Sequence, residues 1–286
     1  MSQRFYVSQA NDHLLPERYE RVRSERIFTS KPSEQRLSFT RYLGIIEEPA
    51  ASFNRRMHMP DSHPGLAFNF GAPLLTETGD GKQVELPRVF FGSVSIQKAR
   101  FRVWATGTCR YVGVDMHAWG TRYVIGDQVD LMATPVVPLG GVWEDFAQTL
   151  EATFQRQGEA EGLALLDQFV ADLQPPKQFD VAMVRTALDA LYATDGQFNL
   201  HELAARCSLS PSQLERQFKY YIGVTPKTFA RAVRLDAITA ALLSAPARQM
   251  THLAQRFGYT DQAHFIHEFK TFMNCTPSEF LASRSA

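Results

Sequence analysis

Residues 203–229 and 253–280 of this 286-residue chain state one pattern twice. Leu203, Ala204 and Arg206 return as Leu253, Ala254 and Arg256 at an offset of 50. Phe218, Lys219, Thr225, Pro226 and Phe229 return as Phe269, Lys270, Thr276, Pro277 and Phe280 at an offset of 51. One extra residue has therefore entered the second copy near its turn. The shared positions are those a repeated supersecondary unit needs in order to pack the same way twice.

Each copy has the order of a helix-turn-helix: a first helix with a small Ala that permits close approach, a short turn, and a second helix that crosses the first. Ser210 and Thr260 are placed to N-cap the second helices, and Pro211 suits the first helical position of copy one. Leu214 and Phe218, like Phe265 and Phe269, lie four apart and point inward. Ser212, Glu215, Arg216 and Lys219 then face outward in copy one, and Gln262, Ala263, Ile266, His267 and Lys270 in copy two. Gly223 supplies a left-handed end to the second helix of copy one, and Asn274 takes that place in copy two. Between the copies, Pro226 opens a long helix to about Leu243. Phe229, Ala232, Val233, Leu235, Ile238 and Leu242 form its inner face.

Two such units on one rigid helix suit a paired DNA reader, because second helices held about 34 Å apart enter successive major grooves on one face of the duplex. Arg216 is then placed to fork onto a guanine. Gln262 can pair with an adenine edge or, like His267, hydrogen-bond a base or a phosphate. Lys219 and Lys270 suit phosphates, which set register without reading sequence. The competing reading is a tandem helical module for protein interaction with no sequence-specific DNA contact. Residues 180–286 carry 11 Lys and Arg against 9 Asp and Glu, a balance of +2. Charge alone therefore adds little affinity, and base contacts must carry more of it.

The chain changes character near Pro175-Pro176. Upstream, Leu66–Phe70, Val89–Phe91, Phe101–Trp104 and Tyr111–Met116 are short, β-branched or aromatic, and bounded by turn residues, which predicts strands. Their aromatics, with Trp119 and Trp143, are expected in a core. From Val142 to Leu173 apolar spacing predicts two helices broken at Gly158. Downstream, helices are predicted throughout. The expected fold class is thus α+β: a β-rich domain over 1–174 ending in helices, then an all-α domain over 175–286 with two helix-turn-helix motifs joined by a linker helix.

Residues 180–283 resemble the DNA-binding domain of the AraC/XylS family of bacterial transcription regulators. The resemblance is carried by LAARCSLSPSQLERQFKYYIGVTPKTF, by RAVRLDAITAALL and above all by LAQRFGYTDQAHFIHEFKTFMNCTP. It implies that Ser212, Glu215 and Arg216 in copy one, and Gln262, Ala263 and His267 in copy two, occupy base-contacting positions. His264 matches the histidine before the inner Phe, a residue either bonded within the domain or set on a phosphate. More weakly, through PDSHPGLAFNFGAPLL, VFFGSV and above all YVGVDMHAWGTRYVIGDQVDLMATPVVPLGGVW, residues 10–165 resemble the N-terminal domain of one branch of the family, whose role is to sense a small effector, to dimerise, or both. The function implied is sequence-specific regulation of transcription, activation rather than repression. Partners would be double-stranded promoter DNA and RNA polymerase, with a small-molecule effector and a second copy of the chain as further candidates. The effector's identity, its binding residues and the target genes are not legible.

Other classes are disfavoured. No G-x-S-x-G, glycine-rich phosphate loop or Cys-His constellation appears, so no catalytic residues and no cofactor are expected. His58, Asp61, His63, Asp115 and His117 lack the H-x-E-x-H class of spacing, and no metal site is expected. Cys109, Cys207 and Cys275 are far apart, which suits a reducing cytoplasm and small apolar niches rather than disulfides. The first thirty residues hold no signal-peptide core, and no apolar run is long enough to span a membrane, so a cytoplasmic protein is expected.

Overall fold

The computed structural model describes residues 26–30, 40–48, 56–57, 62–77, 82–94, 102–126, 136–173, 181–244, 250–273 and 275–285. Packing divides the chain into two units. One comprises residues 1–56, 63–93 and 103–179, the other residues 57–62, 94–102 and 180–286.

The described strands, which lie in the first unit except at Met57 and Arg102, form two sheets. The larger has the order β1-β2-β9-β4-β7-β10, with β1 Arg26–Ser30, β2 Thr40–Glu48, β4 Gly65–Asn69, β7 Val89–Gly92, β9 Cys109–Met116 and β10 Val136–Pro138. The smaller has the order β3-β8-β5-β6, with β3 Arg56–Met57, β5 Leu74–Glu77, β6 Gln83–Glu85 and β8 Arg102–Ala105. The four strands predicted are present within two residues at each end. β1, β2, β3, β5, β6 and β10 were not predicted; β3, β6 and β10 are only two or three residues long, and strands that short are defined by partners more than by their own period.

Strand alternation decides the core. Val89 and Phe91 of β7 are buried while Phe90 and Gly92 are partly exposed, the two-residue period of a sheet with one covered face. Leu66 of β4 lies opposite both Phe91 and Val114, at the centre of the larger sheet. Of the predicted core aromatics, Phe68, Phe91, Trp119 and Trp143 are buried, Phe70, Phe90 and Trp104 are half-buried, and Phe101 lies outside the described residues. After the short helix α1 (Thr121–Ile125) come α2 (Val142–Arg156) and α3 (Glu159–Ala171), separated as predicted at Gly158, whose φ of 103° ends the first helix run. Phe146 stacks on Phe169 at 3.6 Å and meets Phe68 edge-on at 5.7 Å, which seats α2 on the sheet.

The second unit is helical: α4 (Val181–Ala193), α5 (Leu200–Arg206), α6 (Pro211–Tyr221), α7 (Pro226–Ser244), α8 (Met250–Arg256), α9 (Gln262–Met273) and α10 (Pro277–Ser285). α5 and α6 form copy one of the repeat, α8 and α9 copy two, and α7 joins them. Its halves serve different copies. Phe229 near its start packs against Phe218 and Tyr192, whereas Leu235, Ala237, Ile238, Ala241 and Leu242 belong to the buried cluster of copy two. No helix among the described residues is long and apolar enough to cross a membrane.

Candidate nucleic-acid interface

The two copies coincide in detail. Cys207 closes α5, Ser208 takes a left-handed φ of 55°, and the Leu209 N–H donates to the Ala204 carbonyl at 2.9 Å. In copy two Gly258 takes φ 74° and the Tyr259 N–H donates to the Ala254 carbonyl at 2.9 Å. The offset of 50 therefore persists through Leu209 and Tyr259. It becomes 51 at the next helix, so the inserted residue is Thr260.

The insertion corrects the expected cap. Ser210 does cap α6 in a reciprocal box with Gln213, each side chain bonding the other's backbone N–H. In copy two the cap is Asp261, which stands 51 residues after Ser210 and accepts the His264 N–H at 2.8 Å; Thr260 lies one residue outside. Asp261→Ala is expected to cost about 1 kcal/mol of stability. Thr260→Ala should fall within about 0.5 kcal/mol of neutral. Urea midpoints of both variants check the order, and a larger loss from Thr260→Ala than from Asp261→Ala would return the cap to Thr260.

Below the caps, the inner faces repeat. Phe218 meets Phe229 at 6.2 Å and 69°, and Phe269 meets Phe280 at 5.9 Å and 70°. All four rings are at most 2% exposed. The following helices begin alike with Thr-Pro, but their caps differ. Thr228 N–H donates to Thr225 Oγ1 at 3.1 Å, whereas Thr276 and Glu279 form a full box. The hydrogen bonds from Thr276 hold the Glu279 carboxyl below its ordinary range.

With the inner faces committed, the outer faces are set. Ser212, Glu215, Arg216 and Lys219 of α6, and Gln262, Ala263, His267 and Lys270 of α9, are all exposed. Their spacing of three and four puts each set along one helix side. Ile266 departs from expectation: it is half-buried and packs against the copy-two cluster. Gln262 is engaged within the unit, its Oε1 accepting the Thr251 hydroxyl at 2.9 Å, so any base contact must share or exchange that bond. His264 is exposed, with Nε2 3.9 Å from Glu268 and its ring edge-on to Tyr259 at 5.3 Å. Asn274, His58 and Asp61 lie outside the described residues.

Sequence reasoning missed the polar groups that hold α9 to the linker. Arg231 donates to Glu268 at 3.1 Å and lies over the Phe272 ring at 4.3 Å. Arg234 lies over Tyr259 at 5.7 Å. Burial, reinforced by the Glu268 charge, pushes the Tyr259 hydroxyl up to about 12, so it stays neutral as its buried position requires. None of these residues is repeated between the copies, so the repeat could not reveal them. Cys207 and Cys275 are half-buried free thiols, both pushed up by burial, with Cys275 packed against the copy-two cluster.

Known proteins resemble this part of the chain in sequence. The family described as a helix-turn-helix domain matches residues 203–283. The arabinose operon regulatory protein of Salmonella typhimurium is 28% identical over 112 residues, which is 38% of this chain and 38% of that protein. The XylDLEGF operon transcriptional activator of Pseudomonas putida is 31% identical over 85 residues, 29% of this chain and 26% of that protein. The chain thus spans about a third of the length of the curated relatives it matches. Among solved structures, fatty acid-bound ToxT from Vibrio cholerae aligns over 85% of this chain and 94% of its own at 13% identity, with a TM-score of 0.47. Profile, relatives and duplicated geometry agree on one assignment: the C-terminal part of this chain is a helix-turn-helix domain of the AraC/XylS family.

Proposed function

We propose that the chain is a sequence-specific DNA-binding regulator of transcription, an activator rather than a repressor, and not an enzyme. The observation that carries this reading is the duplicated helix-turn-helix with its matched caps and aromatic pairs, which leaves two unlike polar faces exposed. In this reading residues 175–286 read promoter DNA, and residues 1–174 sense a small effector, associate with a second copy, or both. RNA polymerase is the partner through which bound protein acts, in the cytoplasm.

Ser212, Glu215 and Arg216 meet bases from α6, and Gln262, Ala263 and His267 from α9, while Lys219 and Lys270 hold phosphates. The exposed faces differ at Ser212 against Ala263 and Arg216 against His267, so the site is non-palindromic for a single chain. Selection of the full chain against a random double-stranded DNA library at moderate salt tests the reading. Two different half-sites are expected. Enrichment of no sequence would overturn it in favour of a helical protein-interaction module.

The roles also separate by residue. Arg216→Ala is expected to cost about 1 to 3 kcal/mol, confined to one base position of the selected site. Lys270→Ala should weaken all sequences alike and lower the salt slope by about 1. Binding titrations on single-base variants at several salt concentrations check both. Uniform losses from both changes would dissolve the division between base and phosphate contacts.

A further inference from the structure

Between α4 and α5, the turn that leads into copy one reaches copy two. Asp195 and Gly196 both adopt left-handed backbone, with φ of 48° and 74°. This conformation aims three groups across the repeat. The Gln197 amide donates through Nε2 to the Arg256 carbonyl at 3.1 Å, at the C-terminus of α8. The Asp195 carboxylate lies 3.6 Å from the Arg256 guanidinium. On the linker side, Arg234 donates to the Gly196 carbonyl at 3.0 Å.

Two glycines leave the room for this. A Cβ on Gly196 would stand 2.1 Å from the Ala230 carbonyl oxygen of α7, and one on Gly258 would stand 2.6 Å from Gln197 Oε1. The equivalent of Gly258 in copy one is Ser208, which takes a left-handed φ of 55° and is exposed.

We propose that the Asp195–Gly196–Gln197 turn is a positioning element that fixes copy two relative to copy one and thereby sets the number of base pairs between the two halves of the DNA site. The proposal rests on the DNA-binding function above. Its physical basis is leverage. The copies sit on opposite halves of a 19-residue helix about 28 Å long, and a helix that length bends and twists unless it is braced off its axis. The turn supplies that brace, tying the linker at Arg234 and the first helix of copy two at Arg256 to one rigid corner. Moving a half-site by one base pair shifts it by about 3.4 Å and rotates it by about 34°. A braced pair of reading helices cannot follow such a shift; an unbraced pair can follow it in part.

The test uses the full chain and a Gln197→Ala, Asp195→Ala double variant. Library selection gives the native half-sites and spacing, and titration then compares that site with versions carrying one base pair more or fewer. Spin labels on keto-bearing residues introduced at exposed Ala205 and Thr271 report the distance between copies. The native chain should select one spacing. The variant should keep both half-site sequences and its thermal midpoint within a few degrees, lose about threefold to tenfold of its discrimination against shifted sites, and show a broadened distance distribution. An unchanged distribution overturns the proposal, as does a broadened one with spacing preference intact. Failure of the native chain to enrich any sequence sinks the DNA reading itself, and the spacing claim with it; the distance measurement then reports whether the brace exists without it.

Discussion

Replacing Phe269 by Ala is expected to cost about 3 to 5 kcal/mol of stability. The ring is 1% exposed and is held between Phe265 at 6.1 Å and Phe280 at 5.9 Å. Its neighbours come from two helices, α9 and α10, which cannot both close on the space left behind. Domains are stable by only about 5 to 15 kcal/mol in all, so this loss is a large fraction of what holds copy two together. Phe218, its counterpart, is equally buried but has Leu214 where copy two has Phe265. Phe218→Ala should therefore cost a similar amount through copy one. Urea unfolding followed by circular dichroism checks both. A loss below about 1 kcal/mol at Phe269 would mean that the ring is not the keystone its contacts describe.

Gly196→Ala should be nearly as damaging, for a different reason. At φ 74° any side chain carries about 1 to 2 kcal/mol of left-handed strain. The added Cβ also meets the Ala230 carbonyl oxygen at 2.1 Å, backbone within a helix that cannot retreat without breaking its own hydrogen bonds. With overpacking of about 1 to 3 kcal/mol, the total is about 2 to 5 kcal/mol. Gly258→Ala is the control. Its φ is the same, but its Cβ meets the end of the Gln197 side chain, which can swing away, so about 1 to 2 kcal/mol is expected. Should the two variants melt at the same temperature, the close approach to α7 is not what glycine serves at position 196.

Much of this was readable from residues alone. The inward set Leu214, Phe218, Phe265 and Phe269 is buried because residues four apart share a helix face, and the exposed set follows by subtraction. The predicted break at Gly158 and the predicted cap at Ser210 depend only on neighbours within three or four positions; the structure adds that Gln213 completes a box there. The strands at Leu66–Phe70 and Val89–Phe91 announced themselves by aromatic and β-branched composition. Edge strands such as β6, whose three residues are all exposed, carry no such signal. The cap at Asp261 escaped because Thr260 and Asp261 are both good caps, and only the hydrogen bond to His264 distinguishes them.

What the sequence determined by itself was therefore the two copies, their inner residues and their opposed polar faces, since each is a matter of local period and turn chemistry. The tertiary structure decided which residue was inserted, which edge of α9 turns inward at Ile266, and how one copy is held to the other. Gln197 and Arg256 are 59 residues apart. No periodicity relates residues so distant, and their contact exists only because two glycine-permitted turns bring separate helices to one corner.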